Sequence, residues 1–370
     1  MTPRKTLAAL RQLACLGLPG KAALPDAMEI LRTLVDADGY GAFYLGDRCQ
    51  VIDGHIPAGV PPSVFLDYVE NFHNQPHGDG VTGLTTQQAM HSPRPVLHWK
   101  DFASREGICK TDFWDRIMRP IGCGWGFQLP LRGSGGPMAN LVVWRSFARR
   151  DFSAANLHMA EQAQAWLCHL LAGEDSGGDD IPEGAVPTGE IGVLVLDAEG
   201  QIVSASPGAI GLWHRATETP MTGFSARECL HGNGDRRLRD FARAVVTALV
   251  GKGNAVPARV VRNVYGIFNL RAYALNPFQG DAPLQISLHI ERHAPYSQRV
   301  FNSQRFLSLS ARERDVCLGI LDGKSNPDIA HDLDIKTSSV IYYAEMLCLR
   351  LGIPTGRRHL LSALFDHATA

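Results

Sequence analysis

Apolar positions at helical spacing open the chain. Leu7, Leu10, Ala14 and Leu18 fall on one helical face, and Arg11 interrupts the apolar run, so the pattern predicts an amphipathic helix and not a secretory signal. No run of about 18 uninterrupted apolar residues occurs, so no membrane-spanning helix is expected. We therefore expect a cytoplasmic protein without a membrane partner.

Helix and strand patterns follow one another through the first 172 residues. A helix is predicted at about 25–36 and an aromatic strand at 39–45. Two further strands, 128–132 and 139–144, are joined by a glycine-rich turn, which indicates a hairpin. A helix capped by Ser153 closes the segment. The order predicts an α+β domain, residues 1–172, with one face of its sheet covered.

Composition divides the rest of the chain. Residues 173–190 are rich in Gly, Pro and acidic residues, which predicts a solvated linker. Residues 191–293 read as two strands, two helices and three strands, and so predict a second α+β domain. A further break is expected near 292–304, which leaves 305–370 as a separate, all-helical segment.

The last segment carries the most specific pattern. Ser310 and Glu313 have the spacing of a capping box at a helix start, and Gly323 is expected to end that helix. Asn326 is expected to cap a short second helix, and a tight turn then leads to a third helix at about 337–351. Three short helices with a tight turn between the last two predict a helix-turn-helix.

Three phrases of this segment belong together: Leu309-Ser-Ala-Arg-Glu-Arg-Asp-Val316, Gly323-Lys-Ser-Asn-Pro-Asp-Ile-Ala330 and Arg350-Leu-Gly-Ile353. With them, residues 307–365 resemble the LuxR-type (GerE-like) DNA-binding domain. The resemblance implies that the third helix reads bases in double-stranded DNA. It also implies that a fourth helix, at about 358–367, makes a homodimer contact through Leu360, Leu361 and Leu364.

Contacts with an operator can be assigned along the predicted third helix and its approach. Phosphate contacts are expected from Lys324, Lys336, Ser338 and Arg350. Contacts with base edges or thymine methyl groups are expected from Thr337, Ser339, Ile341 and Tyr342; the family commonly has Lys where Ile341 stands. Residues 305–370 carry eight basic and eight acidic side chains, so phosphate attraction is weak and dimerisation on a two-fold operator is expected to supply much of the affinity.

The two upstream domains show weaker likenesses. Gly126-Phe-Gln-Leu-Pro-Leu-Arg132 and Phe152-Ser-Ala-Ala-Asn156 make residues 25–172 similar to a GAF domain. The strand order and the phrase Val195-Leu-Asp-Ala-Glu-Gly-Gln-Ile202 make residues 191–293 similar to a PAS domain. These likenesses imply α+β sensor domains in front of the helical one.

Aromatic residues concentrate in the irregular middle of the first domain. They are core-forming residues in most sheet domains, but here they also suit an apolar pocket for a small, apolar or aromatic effector. The predicted pocket residues are Tyr68, Phe72, Trp99, Phe102, Trp114, Trp125 and Phe127.

The sequence gives little support for catalysis, for a metal site or for redox chemistry. The eight cysteines form no C-x-x-C pair, and Pro76 breaks the spacing of His73, His77 and Asp79 as a metal set. Cys123 has no neighbouring His or Lys to lower its pKa. Phosphate-binding, serine-hydrolase and zinc-protease motifs do not occur, so we expect no catalysis, metal or cofactor.

The sequence thus predicts a dimeric, one-component transcriptional regulator that a small molecule controls. Two alternatives stay open. One is a sensor or interaction protein whose degenerate helix-turn-helix serves only for dimerisation. The other is a haem or metal redox sensor.

Overall fold

Two sheet domains precede a region made only of helices. The computed structural model describes residues 2–57, 59–75, 85–172, 185–230, 235–250, 258–275, 283–356, 359–360 and 363. Each sheet has five antiparallel strands, and in both sheets the strands, counted along the chain, lie in the order 2-1-5-4-3. The predicted class, α+β domains followed by an all-helical one, is confirmed.

The first domain is built on the sheet nearest the amino terminus. Its strands are β1 (Gly39–Leu45), β2 (Val51–His55), β3 (Leu97–His98), β4 (Trp125–Gly133) and β5 (Gly136–Arg145). Its helices are α1 (Pro3–Ala14), α2 (Gly20–Val35), α3 (Pro62–Asn71), α4 (Thr86–His91), α5 (Arg105–Ile108) and α6 (Ala154–Ala172). The predicted cap of α6 is confirmed, because the Asn156 backbone N–H donates to Ser153 Oγ at 3.2 Å.

Helix α2 begins five residues before the predicted start. Pro25 was expected near the beginning of the helix, but it lies inside it. The carbonyl of Ala22, in the same turn, accepts hydrogen bonds from Arg292 Nη2 and from Gln298 Nε2 at 2.9 Å. Distant side chains thus bind the backbone of the turn that the proline interrupts.

Both faces of the first sheet are covered, so the prediction of one covered face is wrong. Helices α1, α2 and α6 pack on the face that carries Leu129, Leu141 and Val143. The opposite face carries Trp144 and packs against α3 and the irregular segment 97–123. That segment has too little regular structure to be read from periodicity, although it buries aromatic side chains.

The second domain repeats the strand order of the first. Its strands are β6 (Ala185–Leu196), β7 (Ile202–Ala205), β8 (Ala258–Asn263), β9 (Gly266–Leu275) and β10 (Gln285–Pro295). Its helices are α7 (Ala209–Ala216), α8 (Gly223–Leu230) and α9 (Arg236–Val250). Residues 185–190 of the predicted linker are therefore strand, because β10 extends far enough to pair with them. The rest of that linker, 173–184, lies outside the described residues.

Helix α8 was not predicted. Thr222 caps its start, because the Ser225 backbone N–H donates to Thr222 Oγ1 at 3.2 Å. The helix packs on α3 of the first domain, where Gly223 lies beside Val69. Contacts with another domain stabilise this short helix, and such contacts leave no local periodicity to read.

The residues near 292–304, where a break was predicted, are packed against the rest of the chain. They contain the short helix α10 (Tyr296–Arg299), and α11 (Gln304–Ser308) follows directly. Phe301 between them is fully buried in the same core as α2. The second domain and the helices beyond it are therefore held against the first domain.

The helix-turn-helix prediction is confirmed in its geometry. The helices are α12 (Ala311–Leu321), α13 (Asn326–Asp332) and α14 (Thr337–Leu351). Ser310 and Glu313 form the predicted capping box, and Gly352, with a φ of 68°, ends α14. The predicted cap of α13 is wrong by one residue. Ser325 is the cap, because its side chain and that of Asp328 bond each other's backbone N–H.

No helix in the described ranges has the length and apolar character needed to cross a membrane.

Candidate functional site

An apolar cavity of about 90 Å³ lies on the face of the first sheet that α3 covers. Helix α3, strands β1, β2, β4 and β5, and the segment 97–123 supply its walls. An apolar cavity of roughly 150 Å³ admits a benzene ring, so this smaller cavity suits a molecule smaller than benzene. The lining residues are Tyr40, Gly41, Phe43, His55, Ile56, Pro57, Val60, Val64, Phe65, Tyr68, Trp99, Phe113, Ile117, Met118, Ile121, Cys123, Gln128, Val142 and Trp144.

Two of the seven predicted pocket residues, Tyr68 and Trp99, line this cavity. Trp99 lies flat against the backbone of β4, where a side-chain carbon at Gly126 would come within 2.5 Å of its ring. A glycine is therefore required at that point of the strand. Phe72 lies behind the wall and packs edge-on against Phe113, with ring centroids 5.2 Å apart.

The other four predicted residues lie elsewhere, which corrects the prediction. Trp114 and Trp125 both pack on the ring of Phe147, with centroids 5.0 and 4.9 Å away, and Phe102 is exposed. Phe127 belongs to the core on the other face of the sheet. Strand alternation explains the last case, because Gln128, the next residue of β4, points the opposite way, into the cavity.

The sequence reasoning missed the cavity residues that come from strands. Phe43 on β1 and Val142 and Trp144 on β5 share one face of the sheet. Alternation along each strand identifies such positions once the covered faces are known. Because only one face of the sheet was expected to be covered, the face on which these residues lie was not predicted.

His55 is the most perturbed titratable group at this cavity. Its side chain is buried, at 7% exposure. Burial, with the nearby charge of Arg215, lowers its pKa from 6.5 to about 3, although Glu190 acts in the opposite direction. The imidazole is therefore neutral at neutral pH.

The thiol of Cys123 lies in the cavity wall. Burial raises its pKa well above the usual range, so little thiolate forms at neutral pH. This environment does not favour redox chemistry at Cys123.

A second, more polar cavity of about 340 Å³ lies between the two sheet domains. Asp26 and Glu29 of α2 face Glu190 of β6 and Arg215 of α7 across it. Arg215 Nη2 donates to Glu190 at 2.5 Å, and so does Arg292 Nη1 at 2.6 Å. Four residues line both cavities, and they form the wall between them: Tyr40, His55, Ile56 and Pro57.

Asp53, two residues before His55 on β2, joins the two sheet domains. Its buried carboxylate accepts a hydrogen bond from the backbone N–H of Met221 at 2.9 Å and another from the Tyr265 hydroxyl. The Lys21 ammonium lies 5.2 Å from the centroid of the Tyr265 ring. The strand that lines the apolar cavity thus also holds the second domain.

The metal set considered at His73, His77 and Asp79 gains no support from His73. Its ring bonds the Cys49 carbonyl at 2.8 Å and the Tyr68 hydroxyl at 3.3 Å. His77, Asp79 and the Pro76 between them lie outside the described residues. In the ranges that the structure describes, no three His, Cys, Asp or Glu side chains form a metal-binding group.

The predicted base-reading residues of α14 share an outward surface. Val340 and Leu347 are buried on the inner side of the helix, whereas Ile341 and Tyr342 are 45% and 58% exposed. Thr337, Ser338 and Lys336 are also exposed, and Ser339 is partly so. No side chain among the described residues caps α14, so backbone N–H groups at its start are open to an anion.

Two of the four predicted phosphate contacts are paired with carboxylates. Lys324 Nζ lies 2.8 Å from Asp332, and Arg350 Nε lies 3.1 Å from the buried carboxylate of Glu313. The predicted dimer contact Leu360 is 0% exposed, inside the helical core of its own chain, so it cannot offer the apolar face expected of it. Leu361 and Leu364 lie outside the described residues.

The family comparison bears on these helices. Residues 307–360 match the family model described as "Bacterial regulatory proteins, luxR family". These residues form a LuxR-family helix-turn-helix domain.

Comparison with the curated proteins found no match. Among solved structures, the chain resembles "Sensor region of a sensor histidine kinase" at 20% identity and a TM-score of 0.19, with 44% of this chain and 61% of that one covered. The chain thus spans about three fifths of that structure. It also resembles "VqmA bound to DPO" at 15% identity and a TM-score of 0.18, with 48% and 82% covered.

The LuxR-family domain docks on the amino-terminal helix. Arg314 of α12, fully buried, donates from Nε to Gln12 Oε1 at 2.5 Å and from Nη1 to the Leu309 carbonyl at 2.8 Å. Gln12 Nε2 donates in turn to the Ala311 carbonyl at 3.0 Å. Lys5 Nζ donates to the Ser308 carbonyl at 2.7 Å. Helix α1 therefore links the first sheet domain to the LuxR-family domain.

Proposed function

We propose that this chain is a one-component transcriptional regulator whose LuxR-family domain binds an operator in double-stranded DNA as a homodimer. The observation that carries the proposal is the exposed surface of α14, from Lys336 to Tyr342, in a domain that matches the luxR family. Thr337 and Ser339 offer hydroxyl groups to base edges, and Ile341 offers an apolar contact to a thymine methyl group. Lys336 and the first turn of α14 contact phosphates.

The effector in this proposal is a small, largely apolar molecule bound in the cavity of the first domain. The aromatic and aliphatic lining supports it, as does the placement of β2 between that cavity and the second domain. The upstream domains act as GAF-like and PAS-like sensors. The effector shifts the population of dimer arrangements only as far as it binds one of them more tightly.

A gel-shift assay of the full chain with the DNA upstream of its own gene, at a stated salt concentration, tests DNA binding. We expect a specific complex that Lys336→Ala combined with Ser339→Ala removes. Lys100→Ala, an exposed lysine of the first domain, is the matched control and leaves the complex intact. Unchanged binding by the doubly substituted protein would show that α14 does not read DNA.

The effector site has its own test. Val64 lines the cavity from α3, and Val64→Phe places an added ring there. Val203→Phe makes the same change on an exposed strand of the second domain. Native mass spectrometry of protein from its own source is expected to find a bound small molecule in the wild type and in Val203→Phe, and none in Val64→Phe. Equal retention by both variants would place the effector elsewhere.

A further inference from the structure

The second sheet has one covered face and one open face, unlike the first sheet. Helices α7 and α9 pack on the face that carries Leu194, Leu270 and Leu288. The alternate residues of the same strands point the other way and form the outer face of this sheet. Large apolar side chains gathered on one open face are typical of an interaction surface. Four such side chains of the outer face are between 37% and 59% exposed: Ile191, Val260, Tyr273 and Leu275.

The centre of the outer face carries both signs of charge. Arg271 on β9 pairs in register with His289 on β10, and Glu291 lies two residues beyond His289 on the same side of the sheet. Arg271 is exposed, and none of the ion pairs between described residues involves it. Glu291 is 35% exposed and lies 3.2 Å from His293. The outer face thus presents a guanidinium and a carboxylate at its centre, with apolar side chains at its sides.

The homodimer that we propose for this chain needs a surface that complements itself. Leu360 cannot supply it, because its side chain is buried in its own chain. A two-fold interface uses the same patch of both copies, so each feature of the patch has to meet a suitable feature of the same patch. A face with apolar side chains at both sides and opposite charges near its centre meets this requirement.

The register of the strands shows which two-fold axis suits the apolar side chains. Ile191, Glu291, Asn269 and Val260 form one row across β6, β10, β9 and β8. An axis parallel to the strands and midway between β9 and β10 lays β10 of one copy over β9 of the other, and β6 over β8. Ile191 of one copy therefore meets Val260 of the second copy.

The same axis brings opposite charges together. Arg271 of one copy lies over His289 of the second copy and diagonally across from its Glu291. Long side chains span the distance of about 10 Å between packed sheets, and the symmetry makes this contact twice. An axis across the strands at Arg271 would instead bring the two guanidinium groups together, which like charge disfavours. Charge complementarity thus favours the axis along the strands.

We propose that the outer face of the second sheet is the homodimer interface of this chain, with Arg271 of each copy paired with Glu291 of the other. This inference rests on the proposed function, since that function requires two copies. Strand β10 runs directly into α10, and α11 and the LuxR-family domain follow. A dimer on this face fixes the two β10 strands from which the chains continue to the two DNA-binding surfaces.

The oligomeric state of the full chain tests this interface. Analytical ultracentrifugation over a range of concentrations is expected to show a dimer of the wild type. Arg271→Glu places carboxylates against each other at both symmetry-related contacts, so we expect the dissociation constant of the dimer to rise about tenfold or more. Arg236→Glu makes the same change at an exposed position of α9, on the other side of the sheet, and keeps the wild-type constant.

An exchange of the two charges makes the test specific for the pairing. Glu291→Arg alone is expected to weaken the dimer as Arg271→Glu does, and the chain with both substitutions is expected to recover it. Recovery also shows that the substituted chains fold. Ile191→Lys, at an exposed position, is expected to weaken the dimer through its contact with Val260. A double variant that stays as weak as the single ones would refute the pairing.

The outcomes separate this interface from the proposed function. A wild-type dimer that Arg271→Glu and Ile191→Lys leave unchanged would overturn the interface and leave the homodimeric regulator standing. A wild type that stays monomeric also overturns the interface, and the gel-shift assay then decides whether DNA binding survives without it. In such a monomer, slow nitration of Tyr273, followed by mass spectrometry, would show that another segment of the same chain covers the outer face.

Discussion

The carboxylate of Asp53 accepts a 2.9 Å hydrogen bond from the backbone N–H of Met221, which lies 168 residues further along the chain in the other sheet domain. The Tyr265 hydroxyl donates to the same carboxylate. His55, two positions away on β2, lines the apolar cavity. Any shift of β2 would therefore reach the second domain through buried hydrogen bonds.

Removing the Asp53 carboxylate should loosen the contact between the sheet domains. Asp53→Ala leaves the buried Met221 N–H and the Tyr265 hydroxyl without this acceptor, at a cost of about 1–3 kcal/mol for each group left unpaired. We expect a lower midpoint in urea-induced unfolding and faster proteolysis between the domains. Asp47→Ala, an exposed position in the turn before β2, serves as the control. Equal midpoints for the two variants would contradict the role given to Asp53.

Lys336 should contribute more to DNA binding than Lys324. Lys336 is exposed with no carboxylate within ion-pair distance in the described chain, whereas Lys324 is paired with Asp332 at 2.8 Å. Each phosphate neutralised contributes about 0.9 to the slope of log affinity against log salt concentration. Lys336→Ala is expected to lower that slope by about one such contact, and Lys324→Ala by less. Titrations at several salt concentrations measure both slopes, and the reverse order would refute this assignment.

Loss of the Gln12 side chain should weaken the docking of the LuxR-family domain. Gln12→Ala removes the acceptor for the buried Arg314 Nε, and hydrogen bonds to charged groups contribute about 1.5–3 kcal/mol. Hydrogen–deuterium exchange is expected to rise in α12 while the sheets keep their protection. Gln87→Ala, exposed on α4, provides the comparison. Unchanged exchange in α12 would mean that α1 does not hold this domain.

His55 should make stability depend on pH in acid. Folding lowers its pKa from 6.5 to about 3, so between these values the unfolded chain binds more protons than the folded one. Its contribution is complete above pH 6.5 and is lost as the pH falls towards 3, by roughly 1.4 kcal/mol per pH unit.

We therefore expect the free energy of unfolding to fall more steeply between about pH 7 and pH 5 in the wild type than in His55→Phe. Urea titrations at both pH values measure the difference. Glu190, Arg215 and Arg292, the charged groups that act on His55, are present in both proteins. Parallel pH profiles would show that His55 is not buried as a neutral group.

Features that depend on neighbouring residues were predictable. The capping box at Ser310 and Glu313, the end of α14 at Gly352 and the hairpin of β4 and β5 each arise within a few residues, so the sequence pattern identifies them. The exposed residues of α14 were predicted from the resemblance to the LuxR-type domain, because apolar side chains such as Ile341, Tyr342 and Leu349 are exposed and periodicity alone does not mark the buried side.

Features that depend on distant contacts were not predictable. The carbonyl of Ala22 bonds Arg292, 270 residues away, and α8 forms against α3 of another domain. Alternation alone did not tell which face of β4 would meet the cavity, so Phe127 was chosen where Gln128 is the lining residue. The wall that His55 and Tyr40 share between the two cavities forms only after the domains pack.

Docking of α12 on α1 leaves Thr337, Ile341 and Tyr342 open to solvent. The surface proposed to bind DNA is thus accessible in the structure that the described residues form. Within the described ranges nothing covers this surface, so regulation by exposing it is not expected. If the proposed effector and homodimer exist, the effector would have to change how far apart, or at what angle, two such surfaces are held.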